Sequence, residues 1–250
     1  MSPAAAPPSP YPGEVQPIAE RAARILLDTR SVYVRAEPFF FTSGWASPVF
    51  VDVKRLIAFP VARTALIELA VERILATAGY EAFDVIAGGE VAGVPFAAMI
   101  ADRLHLPLVI VRKQAKGFGR MAQLEGALRP DARCVLVEDL TTDGRTKADF
   151  CAALMRAGAA VRHAFVVFKY GIYDHVVGDL ERMGVVLTAL ATLPDILATA
   201  RRRGDFAPGE LAQLEAFVAD PVAWSTEHGG IGAIGPVPAA RAPARRRQPI

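Results

Sequence analysis

The chain is predicted to fold as an α/β domain. It has a central parallel sheet flanked by helices, a small β-containing hood at the N-terminal end, and helices at the C-terminal end. Three observations predict this. Apolar runs of strand length alternate with helical patterns through the middle of the chain, the βαβα order of a parallel sheet. An aromatic, β-rich segment before Ser43-Gly44 is followed by a second extended run, which reads as an antiparallel pair. Helical periodicity dominates after residue 193.

Residues 15–27 place Ile18, Ala22, Ile25 and Leu26 on one helical face, opposite Glu20, Arg21 and Arg24. Residues 31–42 and 49–53 are the two strands of the hood. Pro60 suits the first turn of a helix that runs to Ala78 and stops at Gly79. A short buried strand, 84–87, reaches a Gly88-Gly89 turn. A helix over 93–104 and a strand over 108–111 follow. Residues 112–129 form a glycine-containing segment. Val135, Leu136 and Val137 begin the next strand, a helix covers 147–157, and 164–168 is a further apolar strand. Helices over 174–183, 193–203 and 208–218, with a strand near 185–190, complete the domain. In parallel sheets ligands bind at the carboxyl ends of the strands, so the loops at Gly88, Arg112, Asp139 and Lys169 share one rim.

Composition excludes several classes. No run of 18 apolar residues lacks a charge, so no membrane span is expected. Residues 1–14 are rich in Ala, Pro and Ser, without a basic start or apolar stretch, and read as a disordered leader rather than a signal peptide. One domain covers 15–225, and 226–250 reads as a disordered Gly/Pro/Arg-rich tail. The net charge is only +2, and Arg241, Arg245, Arg246 and Arg247 of the tail exceed it. The body is therefore near neutral and offers little to nucleic acid. Cys134 and Cys151 fall in a core strand and a helix, which suits free thiols in a reducing cytoplasm. His105, His163, His175 and His228 share no spacing with a nucleophile or metal site.

The chemistry concentrates between Cys134 and Lys147. A buried strand delivers Glu138 and Asp139 to a loop of Thr141, Thr142, Asp143, Gly144, Arg145 and Thr146 at a helix start. Helix N-termini and loop amides bind phosphate, and carboxylates accept from sugar hydroxyls. Lys147 stands in the first helical turn, where a cation opposes the helix dipole unless an anion meets it. Arg112, Lys113 and Lys116 form a second cluster, on a glycine-bearing loop suited to a lid over a pyrophosphate leaving group.

The stretch with Glu138, Asp139 and the Thr/Gly loop resembles the phosphoribosyl-pyrophosphate (PRPP) motif of type I phosphoribosyltransferases. The resemblance implies that Glu138 and Asp139 hold the ribose hydroxyls and that 141–146 wraps the 5′-phosphate. Arg145 and Asp143 depart from the family pattern. Arg112, Lys113, Lys116 and the closing Leu124-Glu125-Gly126 resemble the catalytic loop of orotate phosphoribosyltransferases. In that family the loop crosses a dimer interface to act in trans. Phe118 stands where many members have His or Tyr. Ser43, Gly44, Ser47 and Pro48 resemble the segment lining the orotate pocket, with Thr42 in place of a Lys. Phe50 either stacks on the base or packs in the core. Residues 87–95 resemble the pyrophosphate loop, with Ala92 where Lys is common. Glu90 either caps a helix or holds a metal-bound water. Lys169 or Tyr170, with Thr142, falls where orotate is contacted.

The resemblance covers about 15–224 and implies an enzyme joining orotate to PRPP. Mg²⁺ arrives on PRPP rather than on protein ligands. The implied partners are these substrates and a second copy of the chain, with no nucleic acid or membrane. A phosphoribosyltransferase for another base and a non-catalytic PRPP sensor are the alternatives.

Overall fold

The computed structural model describes residues 16–116, 123–142, 144–173 and 178–233. Helix α1 (Ile18–Asp28) buries Ala22, Ala23, Leu26 and Leu27 along one stripe. Strands β1 (Val32–Phe40) and β2 (Ala46–Val51) pair antiparallel as the hood, with a register shift between Val34 and Phe39. Pro38, which has no N–H to donate, lies inside that shift. A 3-10 helix, Val53–Ala58, leads into α2 (Pro60–Ala78), which starts on its proline and ends at Gly79, φ +97°.

The main body then runs β3 (Val85–Gly89), α3 (Gly93–Leu104), β4 (Leu108–Val111), β5 (Leu124–Glu125), β6 (Arg133–Thr141), α4 (Arg145–Arg156), β7 (Ala160–Lys169), α5 (Gly178–Arg182), β8 (Val186–Thr192), α6 (Leu193–Arg203), α7 (Pro208–Ala219) and α8 (Pro221–Glu227). Six strands form one sheet in the order β5-β4-β3-β6-β7-β8. All neighbours are parallel except β5, which runs back along β4. The expected parallel sheet is present, with one short antiparallel strand, β5, added at its edge. The reason is local: Arg112 N–H donates to the Gln123 carbonyl at 2.8 Å, so the chain folds back as a ribbon.

Helices α1, α2, α3 and α6 pack on one face of the sheet, against Val135 and Val137. Helices α4 and α5 pack on the other, against Cys134 and Leu136. The chain moves outward from β3 to β4 and β5, then returns to β6 on the other side of β3. The helices that follow β3 and β6 therefore leave toward opposite faces. Their carboxyl ends open into a crevice, the switch point at which such sheets bind ligands.

Several boundaries differ from the sequence reading. Gly88 and Gly89 are the last residues of β3, not a turn. Strand β6 continues to Thr141, so Glu138 and Asp139 lie inside it. The helix expected from Asp174 is seen as α5, and 174–177 fall outside the described residues. Residues 226–233 of the expected tail are among the described residues, and 234–250 lie outside them. Thr226 and Glu227 close α8, and Ile231 N–H bonds the Gly44 carbonyl at 3.0 Å. Ser225 Oγ accepts from Ala46 N–H at 3.1 Å and donates to the Ile231 carbonyl at 2.8 Å. Hydrogen bonds thus dock a segment whose composition signals disorder. Among the described residues no helix is long and apolar enough to cross a membrane.

Candidate active site

The crevice is built from glycines because its space is already taken. A Cβ on Gly88 would lie 2.8 Å from Ala97 Cβ, so the residue sets the close approach of α3 to β3. A Cβ on Gly89 or on Gly93 would lie 2.5 Å from Glu138 Oε1, and on Gly93 also 2.6 Å from the Val137 carbonyl. The Glu138 carboxylate thus fills the slot between the end of β3 and the start of α3. Residues 90–92 link these two elements, and the Glu90–Val91 peptide is cis.

Strand alternation turns Glu138 and Asp139 to opposite faces of the sheet. Glu138 points toward α4, where Lys147 Nζ meets its Oε2 at 2.9 Å. Asp139 follows Val137 toward the face that carries α3. Both acids are nearly inaccessible, 5% and 7% exposed. The expected side-by-side carboxylates are therefore divided. Burial pushes the Glu138 carboxyl up to about 7, helped by the charge of Asp139 and opposed by Lys147 and Lys113. Its Oε1 is buried without a hydrogen-bond partner.

Beyond Asp139 the chain prepares a helix N-terminus. Thr141 Oγ1 accepts from Gly144 N–H at 2.9 Å, and Gly144 takes φ +76° as the residue before α4. A left-handed backbone here suits glycine. Thr142 and Arg145 are half-buried, Thr146 is exposed and Lys147 is buried. Asp143 lies outside the described residues. Lys169 ends β7 in register with Thr141, which brings it to the same rim. Tyr170, its proposed substitute, is buried; its hydroxyl donates to the Val49 carbonyl at 3.3 Å and its ring meets Phe41 at 5.3 Å. Trp45 packs on Tyr173 with ring centroids 4.7 Å apart. These contacts fasten the hood to the end of β7. Phe50 is half-buried and packs between Tyr33 and Phe39 of the hood, at 6.3 and 5.7 Å.

The cationic segment has a firm root. Glu90 N–H donates to the Val111 carbonyl, and Glu90 Oε2 accepts from Lys113 N–H at 2.9 Å. Glu90 therefore anchors the start of the cationic segment, a role that neither sequence alternative foresaw. Arg112 forms an ion pair with Glu125 of β5. Gln123 Nε2 donates to the Arg112 carbonyl at 3.0 Å, and Gln123 Oε1 accepts from Arg156. The side chains of Lys113 and Lys116 are exposed. Residues 117–122, Phe118 included, fall outside the described set.

Sequence reasoning missed the partner of Lys147 and the roles of Glu90 and Gln123. Only Lys147 left a signal, a buried cation against the helix dipole. Cys134 and Cys151 are free and buried, which raises each thiol to about 12. His228 stacks on Trp224 with centroids 3.7 Å apart, and His163 is held below its ordinary range, chiefly by burial.

Residues 58–178 match the phosphoribosyl transferase domain family. The orotate phosphoribosyltransferase of Dinoroseobacter shibae is 45% identical over 222 residues, 88% of this chain and 98% of that protein. That of Sinorhizobium medicae is 44% identical over 218 residues, covering 87% and 94%. Among solved structures, orotate phosphoribosyltransferase from Aeropyrum pernix superposes with a TM-score of 0.61 at 30% identity, over 74% of this chain and 99% of that one. UMP synthase of Leishmania donovani gives a TM-score of 0.69 at 26% identity, over 80% of this chain and 42% of the longer one. With Glu138 and Asp139 at the sheet's switch point, and with that identity across nearly full-length relatives, the chain belongs to the orotate phosphoribosyltransferase family.

Proposed function

We infer that this chain transfers the 5-phosphoribosyl group of PRPP to orotate, forming orotidine 5′-monophosphate and pyrophosphate in pyrimidine synthesis. The observation that carries the reading is the placement of 138–142 and 144–146 at the β3–β6 crevice, with the lid root of Glu90 and Lys113 beside it. The 5′-phosphate sits at the α4 N-terminus beside Thr141, Thr142, Gly144, Arg145 and Thr146. Asp139 accepts from the ribose hydroxyls. Glu138, engaged by Lys147, forms the floor beneath them. The amides of 89–93 face the pyrophosphate. Mg²⁺ comes with the donor and spreads the charge of its phosphates.

In the reaction the C1–O bond to pyrophosphate breaks and the sugar becomes oxocarbenium-like. Lys113 and Lys116 balance charge growing on the leaving group, and the lid excludes water from the cation. Orotate N1 attacks the opposite face of C1, forming the C–N bond with inversion and losing its proton. Lys169 and Thr142 hold the acceptor. No side-chain nucleophile takes part. A homodimer in which Lys116 reaches the neighbouring site completes the arrangement. The free buried thiols suit a reducing cytoplasm.

Purified protein assayed with PRPP and orotate, uracil, hypoxanthine or adenine tests the reading. Turnover is expected with orotate. Turnover with a purine alone, or PRPP binding without turnover of any base, would contradict it.

A further inference from the structure

Lys147 has no place in the chemistry above, yet its position is chemically costly. It occupies the first turn of α4, where the helix dipole disfavours a cation. Its side chain is only 10% exposed, and lysine is rarely buried without a partner. That partner is Glu138, 6% exposed on its side chain, at 2.9 Å. The second carboxylate oxygen goes elsewhere. Oε1 is buried without a hydrogen bond and lies 2.5 Å from where either Gly89 or Gly93 would carry a Cβ. One carboxylate thus touches the first turn of α4 with one oxygen and the β3–α3 turn with the other.

A buried ion pair is a poor device for stability alone, since packed apolar residues of the same volume usually do as well or better. Its location gives it a different use. It stands between two segments that both receive anionic groups, and an uncompensated carboxylate there would repel them. Resting on the proposed use of PRPP as donor, we propose that Lys147 is a positioning residue for donor binding. Through Glu138 it ties the phosphate-binding start of α4 to the pyrophosphate-facing turn, and it keeps the carboxylate between them compensated. The charged groups acting on Glu138 are Lys147 from α4, Asp139 from β6 and Lys113 after β4, and uncharged Gly89 and Gly93 lie beside its Oε1. Lys147 lowers the carboxyl's proton affinity, so its removal raises that affinity further.

The test compares wild type with Lys147→Met and Lys147→Arg, reading kcat, both KM values and PRPP affinity by calorimetry between about pH 6 and 9. Lys147→Met is expected to raise the KM for PRPP by about tenfold or more while the KM for orotate changes less than about twofold. The acid-side inflection of PRPP binding should move up by about one pH unit. Lys147→Arg should keep most of the wild-type behaviour. Titration of the donor's own phosphates is common to all variants and cancels in the ratio to wild type. A Lys147→Met protein that melts earlier but keeps both the KM for PRPP and the inflection would overturn the proposal and leave a plain structural strut. Should that variant not fold, Glu138→Gln decides. Its amide oxygen still accepts from Lys147 but does not titrate, so the ratio of wild-type to variant affinity should show the Glu138 inflection, and a ratio that does not change with pH would overturn the proposal. Failure of the wild type to bind PRPP would overturn the proposed function as well; unchanged variants with intact wild-type binding would overturn this inference alone.

Discussion

At the residue scale the site is a problem of volume and charge solved with glycine and paired ions. Gly93 leaves room for Glu138 Oε1 and for the Val137 carbonyl, and the carbonyl belongs to a central strand that cannot yield. Gly93→Ala is therefore expected to destabilise by about 1–3 kcal/mol, read as a lower urea midpoint, and to weaken PRPP binding. Gly209 offers the control. It lies in α7 with nothing within 4 Å of an added Cβ, so Gly209→Ala should stabilise by about 0.5–1 kcal/mol. Equal effects at the two positions would contradict the packing account. Residue identity made Glu138, Asp139 and the Thr/Gly loop legible from the sequence, because few other patterns join paired acids to a glycine-bearing helix start. Their orientation was hidden by where the strand was taken to end. Once β6 runs through Thr141, alternation separates the two acids and sends Glu138 to Lys147.

At the element scale, α2, α3, β4 and α6 match their sequence bounds because proline, glycine and periodicity mark their ends. The misreadings have physical causes. Gly88 and Gly89 carry turn composition but are strand, since the close approach of α3 and Glu138 excludes side chains. Two-residue β5 has too little length for periodicity to show. The segment after residue 225 carries a disorder-like composition, yet bonds to the hood and the packing of Trp224 and Ile231 on the core hold it in place. Ser225 bridges Ala46 and Ile231 from a buried position. Ser225→Ala leaves a buried amide and a carbonyl without that partner, and should cost about 1–3 kcal/mol. A thermal melt indistinguishable from wild type would show that the latch contributes nothing.

At the scale of the whole molecule, the fold places three separate stretches of chain at one crevice: the 89–93 turn, the end of β6 with the start of α4, and the start of the cationic segment at Arg112 and Lys113. Lys113 already acts on Glu138 within its own chain, so Lys116 is the better probe of a lid acting in trans. Lys116→Ala and Asp139→Asn homodimers, each inactive, should regain partial activity when mixed and allowed to exchange subunits. No recovery after confirmed exchange would place the lid in cis. The most direct measurement is a crystal structure with PRPP and Mg²⁺ bound. The 5′-phosphate is expected at the α4 N-terminus beside Thr141 and Gly144, the ribose over Asp139, and the pyrophosphate over 89–93 beneath Lys113. A donor seated away from the β3–β6 crevice, or with its 5′-phosphate away from α4, would contradict it.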